Sequence, residues 1–374
     1  MRVLIITNVP NSYRIPLFNL LNQELSPKGI SMRVVFGAKG YKRRKSIIDE
    51  NEMLFEHLFL KSVTWRLFSY ERYFFTYKGL IRQIRSYRPH KIVVVGYSLA
   101  TFQVWLLSFF MPFTYMIWGG TIPNSPQAKS CLRTALRRIF LKRASGCIAY
   151  GTLAKEYFKS LGKAENKIAI AINTVDTDFF ERETALHKSD DASDGDKHLT
   201  YVGYLSKRKN VLAVLKMIQK LSRTRKGIIL DIIGDGDQKS TLQDYVKTNN
   251  MGHLIVFHGF KQKNELPHFL AMSSCFLFQT DFDIWGLVLN EAMACGLPCI
   301  ASINAGATHD LIRHGENGFA VNFENSDHAC QIVDSILDDP LYAKKIGENA
   351  QDFIRRNATL KNSIVGFLEA LENS

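Results

Sequence analysis

The chain has 374 residues, 46% of them apolar and 22% charged, which is too long for one ordinary core and too apolar for a disordered chain. Its formal charge of +13 is lopsided: residues 1–180 hold 27 Lys/Arg against 10 Asp/Glu, and residues 181–374 hold 21 against 25. The first half is therefore expected to meet something anionic. Six cysteines (131, 147, 275, 295, 299 and 330) show no CxxC spacing, which argues against a disulfide framework and fits a reducing compartment. No cleavable signal is legible ahead of the first strand, so a cytoplasmic location is expected.

In chain order, "RVLIIT" reads as a buried strand, and "NVPNSYRIPLFNLL" (8–21) puts Asn11, Ser12, Tyr13 and Arg14 in the loop at its carboxyl end. Strands at "SMRVVFG", "KIVVVG", "FTYMIW" and "GCIAYG" follow. Ile92 to Ala128 carries no charge and is long enough to span a bilayer, but Gly96, Pro112 and several hydroxyl and amide side chains interrupt it. It reads as a buried βαβ unit of a parallel sheet. "WGGT" (118–121) offers glycine amides, Gly119 among them, at the same strand edge. "KSCLRTALRRIFLKR" (129–143) reads as a helix. Leu132, Ala135, Leu136, Ile139 and Phe140 share one side, and Lys129, Arg133, Arg137, Arg138 and Lys142 spread over the rest. Such a helix suits an anionic membrane surface, and "KGYKRRKS" (39–46) and "WRLFSYERYFFTYKGL" (65–80) add to it. The competing reading packs its apolar side on the sheet and leaves the cations solvated.

The polar stretch 181–198 reads as a linker between a first domain, 1–180, and a second, 199–354. A closing helix at about 355–374 is expected to pack back on the first domain. The second series of strands is "LTYVGYL", "GIILDIIGDG", "LIVFHGF", "SCFLFQT", "PCIAS" and "GFAVNF". Two α/β series imply two doubly wound, Rossmann-like domains facing each other across a cleft, with ligands at the carboxyl ends of the strands.

Three loops of the second half carry chemistry. "YVGYLSKRKN" (201–210) places Lys207, Arg208 and Lys209 after a strand, where they can neutralise a diphosphate. "IIGDGDQ" (232–238) is a weak match to a dinucleotide fingerprint and reads as a glycine-rich turn. "DFDIWGLVLNEAMACGLPCIAS" (281–302) runs loop, helix, turn, strand; Asp283 and Glu291 flank the helix N-terminus, whose first amides suit a phosphate. The acid pairs at 235–237 and 281–283 offer too few oxygens for a hard cation by themselves, so chemistry without a metal or other cofactor is expected. With no Ser-His-acid order or zinc cluster, catalysis would rest on positioning and charge stabilisation.

In their order, "SYRIPLF", "YVGYLSKRKN", "IIGDGDQKSTL", "VFHGF", "DIWGLVLNEAMACGLPCIAS" and "GENGFAV" resemble the family-4 retaining glycosyltransferases, the group 1 glycosyl transferases of GT-B fold. The resemblance implies that Glu291 binds ribose hydroxyls and Asp283 hydroxyls of the transferred sugar. It gives the diphosphate to Lys209 and the amides of Gly286 and Leu287, with Arg208 or Lys207 standing in for the family's usual Arg, and sets Gly259 and Phe260 beside the base. Tyr13, Arg14 and Gly119 would lie on the acceptor side. The chain departs from the pattern at Asp283, where Glu is usual, and at Tyr204, where a phosphate-binding Arg is usual. The glycine-rich loop after the first strand is missing, as is a histidine at "WGGT".

The implied activity is a hexosyl transfer, with retention, from a UDP- or GDP-sugar. The acceptor would be a saccharide or lipid-linked saccharide of lipopolysaccharide, capsule or exopolysaccharide assembly, at the inner face of the cytoplasmic membrane. A sugar-nucleotide epimerase shares the two-domain architecture. A nucleic-acid-binding protein would explain the basic half, but no such module is legible and no nucleic acid is expected.

Overall fold

The structure is a computed structural model and describes residues 1–40, 48–66, 73–126, 128, 130–187 and 195–373. The basic segment 41–47, Lys129, the aromatic segment 67–72 and residues 188–194 of the expected linker lie outside the described residues. Two compact units emerge: residues 1–173 with 360–374, and residues 174–359.

The first unit is built on a seven-stranded parallel sheet of order β3-β2-β1-β6-β7-β8-β9. Its strands are β1 (Arg2–Thr7), β2 (Ser31–Phe36), β3 (Glu56–Phe59), β6 (Lys91–Val95), β7 (Thr114–Gly119), β8 (Gly146–Ala149) and β9 (Ile168–Ile170). Between them in sequence, β4 (Thr64–Arg66) and β5 (Tyr73–Phe75) form a separate antiparallel pair. The charge-free run folds as β6, the helix Leu99–Leu107 and β7, as its interruptions require. No helix among the described residues is long and apolar enough to cross a membrane.

The closing helix Leu360–Glu372 belongs to this unit. Phe367 meets Trp118 edge-on at 4.7 Å, and a Cβ on Gly366 would stand 2.0 Å from the Ile170 carbonyl oxygen. The expected helix of 355–374 is thus two: Pro340–Asn357 lies in the second unit, and only Leu360–Glu372 returns.

The second unit carries a six-stranded parallel sheet of order β12-β11-β10-β13-β14-β15. Its strands are β10 (Lys197–Val202), β11 (Ile228–Ile233), β12 (Ile255–Gly259), β13 (Cys275–Phe278), β14 (Cys299–Ser302) and β15 (Phe319–Val321). The helix Val211–Leu221 shows how the core is built. Val211, Val214, Leu215, Ile218 and Leu221 recur at helical spacing, and all are buried against β10 and β11. The stretch 181–198 is only partly the expected linker. Its first residues end the helix Thr177–His187, which buries Phe180 and Thr184, and its last two begin β10. Polar composition hid a helix whose buried side is only Thr177, Phe180 and Thr184.

In each sheet the strand order reverses once, beside β1 and beside β10. Open α/β sheets bind ligands at the carboxyl ends of the strands flanking that reversal. In the second unit these are β10 and β13, and their following loops hold Lys207–Lys209 and Asp281–Gly286.

Candidate active site

The loop after β10 tightens into a turn at Lys207–Lys209, and Asn210 takes a left-handed conformation before the next helix. This turn carries Lys209 inward, where it is buried, while Lys207 stays exposed. The Lys209 ammonium donates to the Asp283 carboxylate at 2.5 Å and lies 5.1 Å from the centre of the Phe278 ring. Arg208 donates to the Phe282 carbonyl at 2.6 Å and stands 3.5 Å from the same carboxylate. Further hydrogen bonds tie the two loops together: Asp281 N–H donates to the Arg208 carbonyl, and the Asn210 side-chain amide to the Asp281 carboxylate. Burial pushes the Asp283 carboxyl up, but the Lys209 and Arg208 charges and hydrogen bonds outweigh it and hold it below its usual value. The Asp283 carboxylate is thus held against the buried Lys209 ammonium by the packing of the two loops.

Behind this pair the helix Leu287–Ala294 begins, with Gly286 as its cap. Gly286 sits at φ 112°, and a Cβ there would stand 2.2 Å from the Phe278 ring, so only glycine lets the helix start against β13. The helix expected within 281–302 is present at Leu287–Ala294. Leu289 N–H donates back to the Gly286 carbonyl at 3.0 Å, and the amides ahead of it, including Leu287, precede any acceptor within the helix and provide a partial positive charge. Further along, Glu291 is half-buried, and burial pushes its carboxyl up to about 7, with the Lys263 charge opposing. Lys263 in turn ion-pairs with Asp176 at 3.6 Å.

Gly259 ends β12 at φ 71°, its carbonyl accepting from Gly234 N–H at 2.8 Å, and Phe260 beyond it is exposed. The glycine-rich turn does not make a dinucleotide loop. A Cβ on Gly234 would stand 1.8 Å from the Gly203 carbonyl oxygen, so these glycines let the loops after β10 and β11 pack backbone to backbone.

Lys209, Arg208 and Asp283 thus come together in one cluster, with Gly286, Leu287 and Glu291 on the helix that follows it. Tyr13, Arg14 and Gly119 lie in the first unit. There the Arg14 guanidinium is buried, 4.2 Å from the centre of the Trp118 ring, and donates to Thr7 at 3.2 Å and to the Tyr150 hydroxyl. Tyr13 is half-buried beside it, and Gly119 follows Trp118 on β7.

Two groups of residues were missed by sequence reasoning. Asn290, fully buried, accepts from the Trp285 indole at 3.0 Å and donates to Thr174 at 3.4 Å, anchoring the helix that carries Glu291. Asp231 on β11 bonds His198 on β10 and His258 on β12, each at 2.6 Å. The β11–β12 register shifts at this point, pairing Ile232 with Phe257 and Ile233 with Gly259, and His258 is the extra residue. Among the described residues no group of three or more His, Cys, Asp or Glu is placed to hold a metal ion.

A buried cation, a helix N-terminus and a carboxylate raised by burial thus lie beside a sheet's reversal point, where open α/β sheets bind ligands. The chain is similar to several known proteins. Residues 183–353 match the family described as "Glycosyl transferases group 1". The N-acetyl-alpha-D-glucosaminyl L-malate synthase of Bacillus anthracis is 30% identical over 196 residues, 52% of this chain and 50% of that one. An uncharacterized 41.2 kDa protein in the cps region of Klebsiella pneumoniae is 26% identical over 204 residues, 54% of each chain. The chain thus spans about half the length of the curated relatives it matches. Among solved structures, Anabaena HepE in complex with UDP superposes with a TM-score of 0.78 at 16% identity over 100% of both chains. The lipopolysaccharide outer core galactosyltransferase WaaB gives 0.73 at 16% identity, over 100% of this chain and 99% of that one. These likenesses, with the two parallel-sheet units, establish the GT-B fold.

Proposed function

We propose that the protein is a retaining glycosyltransferase that moves a sugar from a nucleoside-diphosphate sugar, of the UDP or GDP class, to a lipid-linked saccharide of surface-polysaccharide assembly. The observation that carries this reading is the buried Lys209 paired with Asp283 at the β10/β13 reversal, directly ahead of the helix bearing Glu291. The group 1 match over that unit supports it, as do the likeness to a UDP-bound fold and the relative from a cps region.

In this mechanism Glu291 accepts from the ribose hydroxyls and Asp283 from hydroxyls of the transferred sugar. Lys209, Arg208 and the amides of Gly286 and Leu287 meet the diphosphate. Gly259 and Phe260 flank the base. The bond from the anomeric carbon to the diphosphate oxygen breaks, and its electron pair leaves with the nucleotide. The acceptor hydroxyl oxygen bonds the same carbon on the same face, and its proton passes to the leaving phosphate. The charge on that phosphate grows as the bond breaks, so the cation and helix amides stabilise the transition state more than the ground state. No metal is needed in this scheme, since the protein supplies the positive charge.

The test is a thermal-shift screen of UDP- and GDP-sugars followed by product analysis with and without a saccharide acceptor. The expected result is donor-dependent stabilisation, with a donor affinity that Glu291→Ala lowers by about 10- to 100-fold, the cost of a charge-assisted hydrogen bond of about 1.5–3 kcal/mol. Transfer should persist in EDTA and keep the anomeric configuration. Donor conversion without acceptor would make the protein an epimerase instead. Loss of transfer in EDTA with rescue by magnesium or manganese would overturn the metal-free scheme.

A further inference from the structure

The helix Cys131–Arg143 of the first unit is packed the wrong way round for a solvated surface. Its buried residues are Arg137 and Leu141, whereas Leu132, Leu136 and Ile139, at i, i+4 and i+7, are exposed, Leu132 by 73%. Arg137 points inward, its guanidinium 4.8 Å from the centre of the Tyr97 ring and donating to the Tyr157 hydroxyl. It therefore cannot serve the outer surface, as its place in the sequence suggests.

The neighbouring helix Leu99–Leu107 repeats the pattern. Ala100, Val104 and Leu107 are buried, while Phe102, Leu106 and, in the turn beyond, Phe109 and Phe110 are exposed, Phe110 by 78%. The two helices touch: Trp105 and Phe140 meet edge-on at 5.7 Å, and the Arg143 guanidinium lies 4.0 Å from the centre of the Phe109 ring and bonds Ser108 at 2.6 Å. Seven large apolar side chains thus form adjoining outward stripes, with exposed Arg133, Arg138 and Lys142 interleaved among them. Residues 72–155 contain no Asp or Glu, so this stretch supplies no carboxylate to those cations.

We propose that this two-helix face is a membrane-docking surface, which inserts Phe110, Leu132, Leu136 and Ile139 among acyl chains and sets Arg133, Arg138 and Lys142 at anionic headgroups. An apolar stripe with flanking cations matches the depth profile of a bilayer interface, apolar below and anionic at the surface. Other occupants fit less well. A second copy paired through the same face would oppose two cationic helices. A nucleic acid would neutralise the cations but leave the aliphatic stripe uncovered. The proposal stands whatever the second unit binds.

Co-sedimentation with vesicles of phosphatidylcholine, alone or mixed with phosphatidylglycerol, tests it. Binding is expected to the mixed vesicles only and to weaken with salt. Changing Arg133, Arg138 and Lys142 together to Gln should lower partitioning by roughly 100-fold, about five-fold per cation, and flatten the salt dependence. Phe110→Ser with Leu132→Ser and Leu136→Ser should also lower binding while preserving its salt dependence. All these positions are exposed, so both sets should keep the wild-type thermal midpoint. Equal binding to neutral vesicles would overturn the proposal. So would an apolar set that binds as wild type, indicating a generic polyanion surface that DNA would also occupy. A concentration-dependent dimer abolished by the apolar set would assign the face to a second copy instead.

Discussion

Glu291 and Lys209 carry opposite consequences at the scale of single residues. Glu291 is raised from 4.5 to about 7, so the folded chain holds its proton more tightly than the unfolded chain does. Its contribution to stability is full below pH 4.5 and is lost as pH rises through about 7. Glu291→Gln should therefore be more stable than wild type at pH 8, by roughly 1–3 kcal/mol, and no more stable at pH 4.5 in urea unfolding. If the carboxylate is the ribose acceptor, donor affinity should run the other way, rising through pH 7 in wild type and staying weak and flat in the Gln variant. Matching pH profiles for the two proteins would remove Glu291 from the site. Lys209 behaves differently because Asp283 depends on it. Read from sequence alone, Lys209→Ala should spare the fold, but the buried ion pair predicts otherwise. Removing Lys209 leaves the buried carboxylate with only Arg208 at 3.5 Å, at a cost that approaches the roughly 3–5 kcal/mol of a broken buried pair. Adding Asp283→Asn should return part of that loss, whereas additive losses in the double variant would show that the two charges are not coupled.

At the scale of elements, the structure turns on how closely the loops after neighbouring strands approach. Gly286→Ala should destabilise the second unit, since the new methyl meets the Phe278 ring at 2.2 Å in a left-handed backbone. Phe278→Leu should partly rescue it in thermal unfolding; no rescue would mean that backbone strain alone sets the cost. The loop–helix–turn–strand run from Asp281 to Ser302 was legible because its signals are local: helix formers, a glycine stop, two acids eight apart. The Asp231–His198–His258 contact was not, because these residues come from three strands and meet only through the order β12-β11-β10. Nor was the burial of Arg137, whose partners Tyr97 and Tyr157 lie 40 residues away on one side and 20 on the other. Local periodicity predicts elements well. It says little about which polar side chain a neighbouring element will satisfy.

For the whole molecule, the chain's path decides which unit depends on which residues. The first unit needs Leu360–Glu372, which supplies Ile364, Phe367 and Leu371 to its core. Deleting residues 360–374 should uncover Trp118 and the face of β9, and make the first unit hydrogen-exchange faster while the second keeps its protection. Equal loss in both units would show that they do not fold separately.

That return of the chain also sets an order of events during synthesis. The second unit is one continuous stretch, residues 174–359, and can close as soon as it clears the ribosome. The first unit, translated earlier, must wait with an open face until a helix encoded almost two hundred codons after β9 arrives. Its basic, aromatic-rich surface is thus exposed in an unfinished form for the whole time its neighbour is being made. Nascent chains that end before Leu360 and are carried clear of the ribosome by an added flexible linker should accordingly show a protease-resistant second unit and a labile first one, and equal resistance of the two would argue against this order.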